Sequence, residues 1–550
     1  MTELVAAGMA AETPTRHTAA TAAIAQLEAC GATTVFGIPG VHTLALYDAL
    51  QDSSLKHILA RHEQGAGFMA DGFARATGRP AVALVITGPG VTNVATAVGE
   101  AYTDSSPVFV LSSNVESAHL DAMRGNLHDL KDQRAVMRAV TKWNDRAVRP
   151  QDVARLIAEG WRAMVTGRRL PVHLEVPLDV LDMTVESGQV IAVDVRPDHP
   201  DISGEIDATA ALLSQAQRPL IYAGGGVTSS GAGKHVVRIA EALNAPIVTS
   251  FQGKGSVPSS HPHNLGALWT QGNAVDKLAR RADALLVIGS RLGVQATERF
   301  TFPIPKNLVR IDIDEEEMTR NATPAVSILA DASHAVSQLA EALESDRPTA
   351  SEWTSQEVAG AREAARKTSF GAGRYPWLEA IRAAIPAEGV IAWDMTMMSY
   401  VATYLFPVEH PRTFLFPTGF GTLGFALPAA IGAKVGLGET PVAAVVGDGG
   451  FQFTMQELAT AIQFRLGIPI IIFNDSTYSA VKDEQNRSRN GRFAAVDLIN
   501  PDYVKLAAAY DTPGVRATSP EELEKAIIDA LARDLPTIID VPIEPWVPVQ

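Results

Sequence analysis

Short apolar runs recur along this chain, separated by stretches whose apolar positions repeat every three to four residues. Pro441 to Val446 (PVAAVV) is one such run, the length of a central strand and too short for a core helix. Phe453 to Arg465 then places Met455, Leu458, Ala459 and Ile462 on one face, which predicts an amphipathic helix. Ile468 to Phe473 (IPIIIF) predicts a second buried strand. A strand–helix–strand unit of this kind should be right-handed and parallel. Asp448 and Asn474 then fall at the carboxyl ends of two strands in one sheet.

The same rhythm runs through three segments. From about Arg16 to Asp182, helices are predicted at Thr21 to Ala29 and Leu44 to Leu50, with strands at Thr34 to Gly37, Ala81 to Ile86, Val108 to Ser112 and Val172 to Glu175. From about Ala208 to Leu343, strands are predicted at Pro219 to Tyr222, Pro246 to Thr249, Ala284 to Ile288 and Val309 to Ile313. The third segment, about Tyr375 to Pro545, holds the Asp448 unit. Pro177 to Ser203 reads as a connection, and Asp346 to Gly373 as a linker carrying one helix. The expected fold is α/β, three domains over 1–187, 188–350 and 351–550, each a parallel sheet with helices on both faces. The first and third segments share this alternation without a convincing sequence repeat.

Size and charge agree. A chain of 550 residues suffices for about three domains. No apolar run approaches a membrane span, and the first residues lack the basic and long apolar regions of a secretory signal. The formal net charge of −15 is spread along the chain, so nucleic acid and anionic membranes are not expected partners. The single cysteine, Cys30, excludes an intrachain disulfide and suits a reducing cytoplasm. It sits in an Ala-rich helical pattern, where a small buried residue fits better than a nucleophile. An acidic protein binds an anionic cofactor locally, through backbone N–H groups and a metal.

Chemistry concentrates at Gly447-Asp448-Gly449-Gly450 and at Asn474, about two dozen residues on. A carboxylate and an amide oxygen at two strand ends can hold a hard divalent cation, with phosphates supplying further oxygens beside a helix N-terminus. Two other glycine-rich stretches are decoys. Ala223-Gly224-Gly225-Gly226 lacks the dinucleotide spacing and reads as a tight turn between strand and helix. In Gly231-Ala232-Gly233-Lys234-His235, the preceding glycine of a phosphate loop is misplaced and His235 stands where Ser or Thr should bind magnesium.

Gly447-Asp448-Gly449 with Asn474 resembles the diphosphate and metal signature of the thiamine-diphosphate enzymes. Arg61-His62-Glu63-Gln64-Gly65-Ala66, followed by Met69-Ala70-Asp71-Gly72 and Ala74-Arg75, closely resembles the helix that presents their activating glutamate. Ile38-Pro39-Gly40 and Thr87-Gly88-Pro89-Gly90-Val91-Thr92-Asn93 stand where that family places cofactor-binding turns. Thr141-Lys142-Trp143-Asn144 and Gly419 to Lys434 (GFGTLGFALPAAIGAK) are further hallmarks of the acetolactate synthase and 2-oxo acid decarboxylase relatives. The resemblance spans essentially the whole chain.

It implies a pyrimidine-binding first domain, a central domain and a diphosphate-binding third domain, with thiamine diphosphate and Mg²⁺ as cofactors. Glu63 would bond the aminopyrimidine N1′ and so activate C2 of the thiazolium, which accepts the electrons of the broken bond. Leu423 would wedge between the two rings, with the Gly421 carbonyl and the Leu423 N–H on the pyrimidine. Gly40, Gly88, Asn93, Gly447, Gly449, Gly450 and Tyr478 would complete the cofactor contacts, and Asp448, Asn474 and the Ser476 carbonyl would hold the metal. In this family the two halves of each site come from different subunits, which implies a homodimer or homotetramer.

Acetolactate synthase relatives have small residues after the first Pro-Gly turn and a Phe-Gln pair facing the thiazolium. Here Val41-His42 follows Gly40, and Leu127-His128-Asp129-Leu130 occupies the second place. Gly37-Ile38-Pro39-Gly40-Val41-His42-Thr43-Leu44, with Leu127-His128-Asp129-Leu130-Lys131-Asp132-Gln133, more closely resembles the 5-guanidino-2-oxopentanoate decarboxylase group. In that reading His42 and His128 handle the substrate carboxylate or shuttle protons. Val41, Val481 and Glu484 would line the substrate, and Glu484, Asp483 or Asp129 would pair with a guanidinium. Tyr478-Ser479-Ala480-Val481 departs from that group's pattern. The leading expectation is a nonoxidative 2-oxo acid decarboxylase. The alternative is an acetolactate-synthase-like or 2-hydroxyacyl-CoA lyase-type carboligase, with FAD or a CoA or adenine nucleotide on the central domain, a choice that Arg291 leaves open. Intact Glu63, Asp448 and Asn474 argue against a noncatalytic scaffold.

Overall fold

The structure is a computed structural model that describes residues 17–186, 190–194, 199–267, 272–294, 296–297, 299–346 and 351–546. The N-terminal stretch read for a secretory signal lies outside the described residues, as do parts of the two connections and the expected boundary at 187/188.

Three sheets form, and every strand pairing in them is parallel. The first holds β1 (Thr34–Gly37), β2 (Lys56–Leu59), β3 (Ala81–Val85), β4 (Val108–Asn114), β5 (Trp143–Arg146) and β6 (Val172–Pro177), in the order β2-β1-β3-β4-β6-β5. The central sheet holds β7 (Pro219–Ala223), β8 (Ile247–Thr249), β9 (Ala284–Ile288), β10 (Asn307–Asp312) and β11 (Val326–Leu329), ordered β11-β10-β9-β7-β8. The third holds β12 (Val390–Trp393), β13 (Phe414–Leu415), β14 (Val442–Gly447), β15 (Pro469–Asn474), β16 (Gly514–Arg516) and β17 (Thr537–Pro542), ordered β13-β12-β14-β15-β17-β16. Relative to their own first strands, the first and third sheets have one identical topology. A structural repeat therefore exists where the sequence carries only a shared rhythm.

Strands buried on both faces read as continuous apolar runs, as Ala81–Val85 and Pro469–Phe473 do. Two edge strands of the first sheet escaped the sequence pattern, because Lys56–Leu59 and Trp143–Arg146 are partly exposed and carry polar residues. The helix expected over Phe453 to Arg465 is corrected. It forms as three pieces, Asp448–Thr454, a 3₁₀ turn at Met455–Glu457, and Leu458–Gln463.

In each sheet the first strand connects outward to the second, and the third strand lies on its other side. The resulting switch points fall between β1 and β3, β7 and β9, and β12 and β14. Such crevices, at the carboxyl ends of strands, are where open α/β sheets bind ligands. Two helices join the first and third sheets: Glu63–Thr77 packs along Ala426–Leu437. A Cβ on Gly72 would collide with the Ala429 carbonyl, and one on Gly432 with that of Met69, so backbone lies directly on backbone.

Candidate active site

Most of the residues expected to act lie just beyond the carboxyl ends of first- and third-sheet strands. Past β2, His62 caps the helix Glu63–Thr77 by accepting from the Gln64 N–H at 3.1 Å. Past β3, Gly88 adopts φ +65° and opens the helix Pro89–Asp104 with a proline at its first position. The two helices meet where Asn93 Nδ2 donates to Glu63 Oε2 at 2.9 Å.

His42 follows β1, in a 3₁₀ turn opened by Gly40, whose N–H donates to Thr43 Oγ1 at 3.0 Å. A Cβ on Gly40 would strike Ile86, and one on Gly88 would come within 2.5 Å of the His128 carbonyl. These two glycines let His42 and His128 stack, with centroids 5.3 Å apart and planes 28° from parallel. His128 takes φ +65° and places Nδ1 3.3 Å from the Thr87 carbonyl. His42 Nδ1 is buried without a partner. Burial, and secondarily the neighbouring His128, lowers the His42 pKa. Neutral imidazole therefore predominates there near neutral pH. Val41 beside it is 70 % exposed.

Gln133, which closes the second resembling stretch, was given no role there. It is buried, accepts from the Gly88 N–H and Thr87 Oγ1 at 2.9 and 2.8 Å, and donates to Glu175 Oε2 at 2.9 Å, fixing the second glycine turn.

At the third sheet, Asp448 begins a helix after β14 and Asn474 ends β15. Asn500, also unanticipated, donates Nδ2–H to Asp448 Oδ2 at 2.6 Å and to Asn474 Oδ1 at 3.0 Å. Asp540 accepts from Asn474 Nδ2 at 3.1 Å and so orients that amide oxygen. Ser476 adopts φ +55°; its hydroxyl stands 3.5 Å from Asn474 Oδ1, and its carbonyl accepts from the Leu498 N–H at 2.8 Å, keeping one lone pair. Burial raises the Asp448 pKa to about 6, Asn500 pulling it down and Asp475 pushing it up. A carboxylate, an amide oxygen and a carbonyl, all hard donors around a carboxylate short of positive charge, suit Mg²⁺. Among the described residues, no group of three His, Cys, Asp or Glu competes as a metal site.

Side chains crowd this turn closely enough to favour glycine. A Cβ on Gly447 would come 2.8 Å from Thr396 Oγ1, on Gly449 2.5 Å from the Tyr478 ring, and on Gly450 3.0 Å from Asp394 Oδ1. Asp394 was missed as well. It is buried, accepts from the N–H groups of Met395, Gly424 and Ala426 at 2.9–3.0 Å, and carries a pKa that burial raises to about 6. It anchors the segment bearing Gly421 (φ +73°) and Leu423, whose Cδ2 lies 3.6 Å from the Gly450 Cβ position. The metal donors, Leu423 and the Gly449–Gly450 turn are thus one cluster.

The substrate residues are more dispersed. Val481 and Glu484 are exposed on the helix Ser479–Ser488, where Arg487 already pairs with Asp483 at 2.7 Å and approaches Glu484 at 3.7 Å. Asp129 accepts from the N–H groups of Gly125 and Asn126 at 3.1 and 3.3 Å and so serves its own turn.

The decoys behave as turns. Gly226 N–H donates to the Gly289 carbonyl at 3.0 Å, and Gly231 (φ +73°) caps the short helix Gly225–Ser230 instead of following a strand. Cys30 caps a helix, with burial raising its pKa. Beyond β7 and β9 a cleft of about 1300 Å³ opens, lined by Gly225, Gly226, Gln252, Gly289, Arg291 and Arg412.

The chain matches three family descriptions in order: "Thiamine pyrophosphate enzyme, N-terminal TPP binding domain" over residues 17–136, "central domain" over 206–339, and "C-terminal TPP binding domain" over 394–541. It is 39% identical to the "Probable 2-ketoarginine decarboxylase" of Pseudomonas aeruginosa over 94% of this chain and 91% of that protein. It is 33% identical to the "Probable acetolactate synthase large subunit" of Methanocaldococcus jannaschii (96% of this chain, 92% of the relative). Against the acetolactate synthase isozyme 3 large subunit of Escherichia coli the figure is 32% (91% and 90%). The chain belongs to the thiamine diphosphate enzyme family and is a thiamine-diphosphate-dependent enzyme.

Proposed function

We propose that the chain is a nonoxidative decarboxylase of a 2-oxo acid with a cationic tail, with 5-guanidino-2-oxopentanoate (2-ketoarginine) as substrate. The observation that carries this reading is the stacked His42–His128 pair above the Gly40 and Gly88 turns. The relative sharing 39% identity, a probable 2-ketoarginine decarboxylase, supports the substrate.

Bound thiamine diphosphate supplies the electron sink for breaking the bond beside a keto carbon. The protein's part is to bind, orient and move protons. Glu63, steadied by Asn93, would meet the pyrimidine nitrogen and exchange a proton with it. The Gly421 carbonyl and Leu423 N–H would hold that ring, and Gly40, Gly88 and Tyr478 would border the cofactor. Asp448, Asn474 and the Ser476 carbonyl would hold Mg²⁺, and the glycine turn at Gly449 and Gly450 would leave room for the diphosphate. His128 would donate to the substrate carboxylate, and His42 would pass a proton to the former keto carbon once CO₂ has left. Val41, Val481 and Glu484 border the substrate tail, Glu484 exchanging its loose contact with Arg487 for the guanidinium.

A homodimer completes the site in this reading. Along one helix, Asn93 bonds Glu63 while Glu100 bonds Thr422, beside Leu423. Seven residues at about 1.5 Å each set these two anchors about 10 Å apart along the helix. A second copy brings its Glu63 to this chain's Leu423, in a dimer or a pair of dimers. The central cleft, at a strand switch point with Arg291 and Arg412 on its walls, favours an adenine nucleotide, as part of FAD or CoA or alone. A reducing cytoplasm is the compartment that suits the single cysteine.

The test incubates the protein, thiamine diphosphate and Mg²⁺ in parallel with 5-guanidino-2-oxopentanoate, pyruvate and a 2-hydroxyacyl-CoA. CO₂ released from the first alone is expected. Acetolactate from pyruvate, or carbon–carbon cleavage of the 2-hydroxyacyl-CoA to an aldehyde, overturns the decarboxylase in favour of the carboligase or lyase.

A further inference from the structure

We infer that Glu100 is a positioning residue for the cofactor: its buried carboxyl group sets the backbone of Gly421-Thr422-Leu423 from the first domain. The inference deepens the proposed function and rests on its assignment of Gly421 and Leu423 to the pyrimidine.

After β13 the chain runs without regular structure to the helix at Ala426, and its N–H groups go to carboxyl groups. Thr418 N–H donates to Asp104 Oδ2 at 2.9 Å, Gly424 and Ala426 donate to Asp394 at 3.0 Å, and Thr422 donates to Glu100 Oε2 from both N and Oγ1 at 3.2 Å. Glu100 and Asp104 lie one helical turn apart on Pro89–Asp104 and meet residues four apart on the segment, a matched pair of rungs. Asp394 holds the downstream end. Glu100 therefore grips the residue flanked by the carbonyl and the N–H that the cofactor needs, between the left-handed turns at Gly421 and Gly424 (φ +73° and +82°).

The local charge balance sets Glu100 apart from its neighbours. Arg75 is the cation of the cluster and spends its donors on both oxygens of Asp71 at 2.8 Å, on Asp104 at 2.9 Å and on the Phe416 carbonyl at 3.1 Å. It comes no closer than 4.0 Å to Glu100, whose Oε1 is buried away from any donor N–H and whose carboxyl group abuts that of Asp104. Burial first, and the Asp104 charge next, push the Glu100 pKa up to about 8. A protonated carboxyl keeps one acceptor oxygen for Thr422, so the grip needs an acceptor and no charge. Glutamine supplies the same acceptor, and alanine leaves the half-buried Thr422 N–H without it.

The test titrates thiamine diphosphate with saturating Mg²⁺ into wild type, Glu100→Gln, Glu100→Ala and Glu100→Asp. Binding is read by quenching of intrinsic fluorescence and by near-UV circular dichroism of the bound cofactor. Glu100→Ala is expected to raise the cofactor Kd about tenfold or more and to alter the bound-cofactor dichroism, while Glu100→Gln stays within about threefold of wild type. Should Glu100→Ala not fold, Glu100→Asp, one methylene shorter, gives the same ordering. A wild-type Kd and spectrum in the truncated variant overturn the inference, as do equal losses in Glu100→Gln and Glu100→Ala. A Kd change that merely follows the apoprotein melting temperature across the series also overturns it. Decarboxylase assays failing on all three substrates, with this ordering intact, would sink the substrate reading and leave Glu100 in its role.

Discussion

Asn93 Nδ2 stands 2.9 Å from Glu63 Oε2, joining the first turns of two helices that leave different strands of one sheet. The bond fixes the rotamer of the carboxylate and leaves its other oxygen for a ligand. Glu63→Gln should slow deuterium exchange at C2 of bound thiamine diphosphate by about 10²- to 10⁴-fold, the range of a positioned acid–base group. Quenched-flow NMR measures the rate, and an unchanged one removes Glu63 as the activating group. Asn93→Ala should show a smaller loss in the same assay.

Asn500 holds the two side-chain oxygens assigned to Mg²⁺. Its replacement by alanine should weaken Mg²⁺ binding about 10- to 100-fold, measured by titrating metal into the protein with cofactor present. Wild-type binding should also weaken as pH falls through about 6, where Asp448 takes up its proton. Calorimetric titrations at two pH values check the sign, and chelation of the metal should release the cofactor.

Glu100 gives stability a pH dependence of defined sign. Its folded pKa, about 8, lies above the ordinary 4.5, so the unfolded chain ionises first as pH rises. The folded state loses ground between about 4.5 and 8. Glu100→Gln removes that loss, and its melting temperature relative to wild type should climb across this window in a calorimetric series. A constant difference counts against a protonated Glu100.

If one site draws on two copies, two inactive variants can repair each other. Glu63→Gln and Asp448→Asn chains, each inactive alone, should regain about a quarter of wild-type activity when unfolded, mixed and refolded together, since random pairing restores one intact site per mixed dimer. Light scattering on the wild type checks the assembly, and a monomer that binds cofactor fully defeats the idea.

The backbone contact at Gly432 predicts a stability cost without a change of chemistry. Gly432→Ala should lower unfolding free energy by about 1–3 kcal/mol, although alanine is the better helix former by about 1 kcal/mol. Urea denaturation measures the difference, and a neutral outcome shows that the two helices can part.

Much of this was legible beforehand for a physical reason. Parallel strands covered on both faces need unbroken apolar runs, so β3, β14 and β15 announce themselves, and catalytic turns after them are spelled in glycine. Asn500, Asp394, Gln133 and Glu100 were not legible in their roles. Each is a single polar residue far in sequence from the group it holds, as Glu100 is from Thr422, and only the fold supplies the proximity. The break at Met455 was invisible because apolar periodicity persists through a 3₁₀ turn. Glu457, sitting there, turns back to accept from the N–H groups of Arg61 and His62 at 2.9–3.1 Å.

The bare contact of Gly72 with Ala429 and of Gly432 with Met69 has a mechanical meaning. Helices resting on each other's carbonyls have no side-chain layer in which to slide, so the outer two sheets of a chain travel as one block. Admission of substrate then falls to rim segments such as Ser479–Ser488, or to a change in how neighbouring copies are seated. A hinge between those two sheets is the one motion that this packing forbids.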